Sequence, residues 1–111
     1  MSHPEPRCPY RHIVLFQFKA SAGAEQIADI EQAFMALKSK IEVIESMEWG
    51  QNVSPEGLND GLSHAFSLTF ASKEGLEQYL PHPAHQAFGE QLRPILEKAV
   101  VLDYVAQPVL G

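Results

Sequence analysis

The sequence is short of the residues that several functions require. It has one cysteine, Cys8, so no internal disulfide can form, and a lone thiol fits a reducing compartment. Lys and Arg together number eight, scattered without a basic stripe, and the formal net charge is −6. That balance speaks against nucleic acid, which rewards clustered cations. No apolar run approaches the roughly 20 residues of a membrane helix, and the first ten residues lack the apolar core of a secretory signal. No Gly-rich phosphate loop is present, because Gly57 and Gly61 lack the Lys-Ser/Thr partner. The expectation is a cytoplasmic protein with neither nucleic-acid nor membrane partners.

What is present describes one soluble domain. The 111 residues are 45% apolar and 20% charged, enough for a single core with little to spare. Residues 1–10 read as a flexible leader, 11–107 as the domain and 108–111 as a tail; three prolines fall among the first nine residues. Arg11 to Lys19 reads as a strand apolar on both faces, His12, Val14, Phe16 and Phe18 alternating with Ile13, Leu15, Gln17 and Lys19. From about Ala24 the apolar residues Ile27, Ile30, Phe34, Leu37 and Ile41 step by 3, 4, 3 and 4, a helical stripe. Acids come early and lysines late in it, as the helix dipole prefers. Val43 to Val53 reads as a second strand, where Gly50 suggests a bulge or a close backbone approach. A turn-rich loop follows, then a half-polar strand from His64 to Ala71.

Helical pattern resumes at Lys73 and meets the segment Tyr79-Leu-Pro-His-Pro-Ala-His85. Two prolines break any continuous helix there, and Pro83 suits the first position of a new one. His85 then lies in the first turn, where the dipole disfavours a positive charge. A neutral imidazole at that place can accept a proton. The other reading is that the prolines only shape a corner. The second piece carries Ala84, Phe88, Leu92 and Ile95; Gly89 needs a packing or access reason, and Pro94 should end the helix. Ala99 to Val105 is the last strand, with Asp103 as its one acid.

The order is β-α-β-β-α-β, which gives an α+β ferredoxin-like fold: a four-stranded antiparallel sheet with the helices on one face. Helices cover one face only, so the doubly apolar first strand leaves an apolar sheet face open. A two-fold homodimer pairing two such sheets would bury it, making a dimeric α/β barrel. One of Phe16 and Phe18 is expected to point into that dimer. Trp49 is expected near the pocket or the dimer seam.

The segments His12-Ile-Val-Leu-Phe-Gln-Phe, Trp49-Gly-Gln-Asn and His64, the Tyr79-to-Phe88 corner, and Asp103-Tyr104 together resemble the stress-responsive α/β-barrel (Dabb) proteins. The resemblance covers roughly Arg11 to Gln107 and implies a dimeric ferredoxin-like barrel. Its members include plant stress proteins that assemble into larger oligomers, a plant polyketide cyclase, and many bacterial proteins without an established reaction. In the cyclase, the histidine matching His85 is the acid/base in an aldol cyclisation, and the tyrosine matching Tyr79 hydrogen-bonds. The resemblance therefore implies His85 and Tyr79 as catalytic groups here, with His12, His64, Asp103 and Trp49 supporting or binding ligand. Asp103 could hold the imidazole in one tautomer.

No cofactor is expected. His82 and His85 lie three apart without a completing ligand, and a metal held by His12, His64 and His85 is a weaker alternative. Three function classes follow: an enzyme or binder for a small apolar carbonyl compound, a structural or stress-protective dimer, and a heme- or oxygen-dependent monooxygenase. The last has no evident iron ligand.

Overall fold

The structure, a computed structural model, describes residues 8–108; residues 1–7 of the expected leader and the last three of the tail lie outside it. Strand β1 (Tyr10–Phe18) leads into helix α1 (Ala24–Lys40), followed by β2 (Ser46–Gln51) and β3 (His64–Phe70). Helices α2 (Lys73–Tyr79) and α3 (Pro83–Leu92) come next, then a single 3-10 turn (Arg93–Ile95) and β4 (Leu96–Val105). The four strands form one antiparallel sheet in the order β2-β3-β1-β4. This is the expected ferredoxin-like arrangement. Pro94 ends α3 in the 3-10 turn, and His82 caps its start, with Pro83 as the first helical residue and His82 Nδ1 accepting from the Ala84 N–H.

One sheet face carries the helices. Val14 and Phe16 of β1 and Phe66, Leu68 and Phe70 of β3 are buried there against Ile30, Phe34 and Leu37 of α1 and Phe88 and Leu92 of α3. Phe34 stacks on Phe66 with ring centroids 4.3 Å apart. The register places Ile13, Leu15, Ala65, Val100 and Leu102 on the opposite face, and Leu102 is 62% exposed. Phe16, at 2% exposure, packs under the helices, and Phe18 lies on the same side, in contact with it. The expectation that one of these two points into a dimer is therefore corrected. Residues two apart on a strand share a face, and the outward pair is Ile13 and Leu15.

Two smaller differences have local causes. β2 is shorter than expected, because Ile41 and Ile44 end the α1 connection as core residues before the strand begins. Gly50 marks neither a bulge nor a close approach: β2 pairs with β3 in continuous register, and a Cβ at Gly50 would meet nothing within 4 Å.

Candidate functional site

The helices do not reach fully across β4, and a cavity of about 300 Å³ remains between that strand, α2 and α3. Its walls are largely apolar, with Val14, Leu76, Leu80, Phe88 and Val101 among them. Gly89 lies on this wall, which supplies its access reason. Four polar side chains converge on the same space: His12, Tyr79, His85 and Asp103. β1 delivers His12, β4 delivers Asp103, and the proline break between α2 and α3 delivers Tyr79 and His85.

Hydrogen bonds set the state of each histidine. His85 Nδ1 lies 2.9 Å from the Leu80 carbonyl, which can only accept, so Nδ1 carries a proton and Nε2 is the nitrogen left for a ligand. Leu80 is the C-cap of α2, so the same break that ends α2 orients the imidazole. His12 Nδ1 lies 2.6 Å from Asp103 Oδ1. A carboxylate likewise only accepts, so His12 Nδ1 also carries a proton and Nε2 is the nitrogen not held by Asp103. That nitrogen has no protein partner, and no sealed side-chain nitrogen or oxygen among the described residues is unpartnered. Nε2 of His12 therefore reaches the cavity. By the same reasoning so does the hydroxyl of Tyr79, a residue that is only 1% exposed and has no hydrogen bond to protein. Burial pushes the Tyr79 phenol far above its ordinary value, which keeps it an O–H donor. Tyr79 and His85 touch, their ring centroids 4.5 Å apart, and Tyr79 meets His12 edge-on at 5.8 Å. The cavity thus holds two imidazoles, each fixed through Nδ1, and one phenol donor within an apolar wall.

The six residues singled out in the sequence fall into two groups. Asp103 does not hold His85: it is opposite His12 in the β1–β4 register, and Tyr10 donates to its other oxygen at 3.5 Å. His64 and Trp49 are not on this cavity. His64 lies four ladder positions from His12, roughly 13 Å along the strand. There its Nε2 is 2.7 Å from Glu31 Oε2 and its Nδ1 is 2.8 Å from Ser63 Oγ. Trp49 stacks parallel to the His64 ring at 5.9 Å and is 36% exposed. Sequence reasoning missed Glu31 and Ser63. The signal for Glu31 was its place four residues after Ile27, on the margin of the apolar stripe. Among the described residues no group of three or more His, Cys, Asp or Glu is placed to hold a metal ion. No helix of the described chain is long and apolar enough to cross a membrane.

The chain is similar to several known proteins. It is 36% identical over 100 residues to the stress-response A/B barrel domain-containing protein HS1 of Arabidopsis thaliana, covering 90% of this chain and 92% of that one. It is 29% identical over 94 residues to the olivetolic acid cyclase of Cannabis sativa, covering 85% of this chain and 93% of the cyclase. Its structure matches the hydroxynitrile lyase of Passiflora edulis with a TM-score of 0.87 at 28% identity, covering 96% of this chain and all of that one. The model of the stress responsive A/B barrel domain matches residues 10–106, and the chain belongs to that family.

Proposed function

We propose that the cavity beside the proline corner binds a small apolar carbonyl compound, and that Tyr79 and His85 carry out proton transfer on it. Tyr79 donates to the carbonyl oxygen, and Nε2 of His85 takes a proton from the carbon beside it. His12, positioned by Asp103, is the second group able to accept or return a proton. The observation that carries this reading is the contact, on one apolar cavity, between a buried phenol and an imidazole whose Nδ1 is held by the Leu80 carbonyl, leaving Nε2 for a ligand. Similarity to a cyclase and to a hydroxynitrile lyase supports an acid/base role for the corner. The open sheet face supports a homodimer: Ile13, Leu15, Val100 and Leu102 form an apolar patch that a second copy would cover. In this reading residues 11–107 are the working domain of a cytoplasmic protein, with a leader before it and a tail after it.

A second reading rests on the bond from His85 to Leu80. That bond also ties the start of α3 to the end of α2, so the corner could serve a purely structural, stress-protective dimer. Proton exchange separates the two. An apolar 1,3-diketone is incubated in D2O with the protein, and loss of the α-proton signal is followed by NMR. The wild type accelerates exchange and a folded His85→Ala variant does not. Equal rates with both proteins would leave the structural reading.

A further inference from the structure

We infer that the open sheet face is matched to a second copy of this chain by charge, with Arg11 of each copy paired to the partner's Glu48. The pairing rests on the homodimer proposed above and fixes how the two sheets are turned against each other.

The face has an apolar part and a polar part. Ile13, Leu15, Val100 and Leu102 make the apolar part. Beside them Arg11, Ser46, Glu48, Ser67 and Thr69 line a polar hollow of about 270 Å³. Arg11 alternates with buried His12, and Glu48 with half-buried Met47, so both charged side chains stand on the uncovered side.

The charged side chains that the register puts on this face are Arg11, Glu48 and Lys98. Lys98 is already neutralised within its own chain, its ammonium bonding the Asp60 carboxylate at 2.7 Å and the Asp60 carbonyl at 2.9 Å. Arg11 and Glu48 are not. Arg11 donates to the Thr69 hydroxyl, an uncharged group. Glu48 is exposed and has no hydrogen bond or ion pair among the described residues. Within one chain the two stand on strands two apart and on rows two residues apart, roughly 12 Å between Cα atoms.

A second copy laid over Ile13 and Leu15 takes these neighbouring charges out of water as well. A charge buried without a partner is strongly destabilising, whereas a hydrogen-bonded ion pair offsets the desolvation. A two-fold axis makes each contact twice: where Arg11 meets the partner's Glu48, Glu48 meets the partner's Arg11. That one contact neutralises all four charges. Arg11 against the partner's Arg11, or Glu48 against the partner's Glu48, would set like charges together. A guanidinium suits the task, because its five donors let it keep Thr69 while forking onto a carboxylate. The apolar part thus supplies the attraction and the charges select the register. A sheet slid by two residues leaves Arg11 and Glu48 facing uncharged groups.

The test uses the full chain, with mass from light scattering and dissociation constants from sedimentation equilibrium. The wild type should weigh twice the 12.3 kDa chain. Arg11→Glu and Glu48→Arg should each weaken the dimer by on the order of 10² or more while keeping their circular dichroism. An equimolar mixture of the two should reassociate, since each then carries the charges complementary to the other's, and native mass spectrometry identifies the heterodimer. Arg11→Glu and Glu48→Arg in one chain should restore self-association. Where a reversal unfolds the chain, Arg11→Gln, Glu48→Gln and their double variant form a mutant cycle, in which the double loses less than the sum of the singles. A wild type of single-chain mass would remove the dimer and the pair together. A dimeric wild type whose reversals keep its dissociation constant would overturn the pair alone and leave the dimer standing. So would single variants that dissociate but do not recombine on mixing, or an additive cycle.

Discussion

Replacing Tyr79 in two ways separates its ring from its hydroxyl. The ring is almost fully buried and packs on Phe70 at 5.4 Å, on His85 at 4.5 Å and on His12 at 5.8 Å. Truncation to alanine removes those contacts and leaves a hole in a core of fixed shape, a change that costs about 3–5 kcal/mol for a large aromatic side chain. In a domain of this size that is a large share of the total, which is typically about 5–15 kcal/mol. The hydroxyl is another matter. It bonds to no protein group and faces the cavity, so Tyr79→Phe leaves no partner unsatisfied. Its stability cost should stay within about 1 kcal/mol, or less than about 8 °C in Tm. Loss of one positioned donor should nevertheless cut diketone exchange by about 10²–10³. Chemical denaturation of both variants, together with the exchange assay, checks this. A Phe variant destabilised by more than about 2 kcal/mol would mean that the hydroxyl is a structural hydrogen-bonding group. The donor role would then fall.

Other consequences are as specific. Leu15→Asp places a charge on the open sheet face, and light scattering should fall from twice the 12.3 kDa chain mass to that mass. Phe16→Asp should instead unfold the chain, because Phe16 lies under the helices. Gly61→Ala should cost about 1–2 kcal/mol, because Gly61 has φ +78° and a new Cβ would also press on the Gln17 side chain. The Lys98 ammonium, by hydrogen bond and then by charge, holds the exposed Asp60 carboxyl below its ordinary value. Its contribution to stability is present above the unfolded carboxyl pKa and is lost as pH falls through the folded one. Salt weakens it. In Lys98→Ala the Asp60 titration followed by NMR should return towards the ordinary value.

Much of the fold was legible because its signals are local. The α1 stripe from Ile27 to Ile41, the alternation in β3 and the two prolines at the corner each depend on neighbours within a few residues. The doubly apolar β1 announced an uncovered sheet face for the same reason. Pairings across the sheet were not legible. That Asp103 belongs to His12 depends on the β1–β4 register, and no residue spacing encodes it. That His64 meets Glu31 depends on how α1 lies over β3, so a histidine assigned to the corner turned out to stand at the far end of the sheet. The misplacement of Phe16 and Phe18 had a simpler cause: their spacing of two already put both on one face.

The most direct test of the central claim is a crystal structure of the chain with an apolar 1,3-diketone bound. A carbonyl oxygen is expected about 2.6–3.2 Å from the Tyr79 hydroxyl, and the intervening carbon within reach of His85 Nε2, about 3–3.5 Å. A diketone bound elsewhere, with the corner cavity filled only by water at saturating concentration, would contradict it.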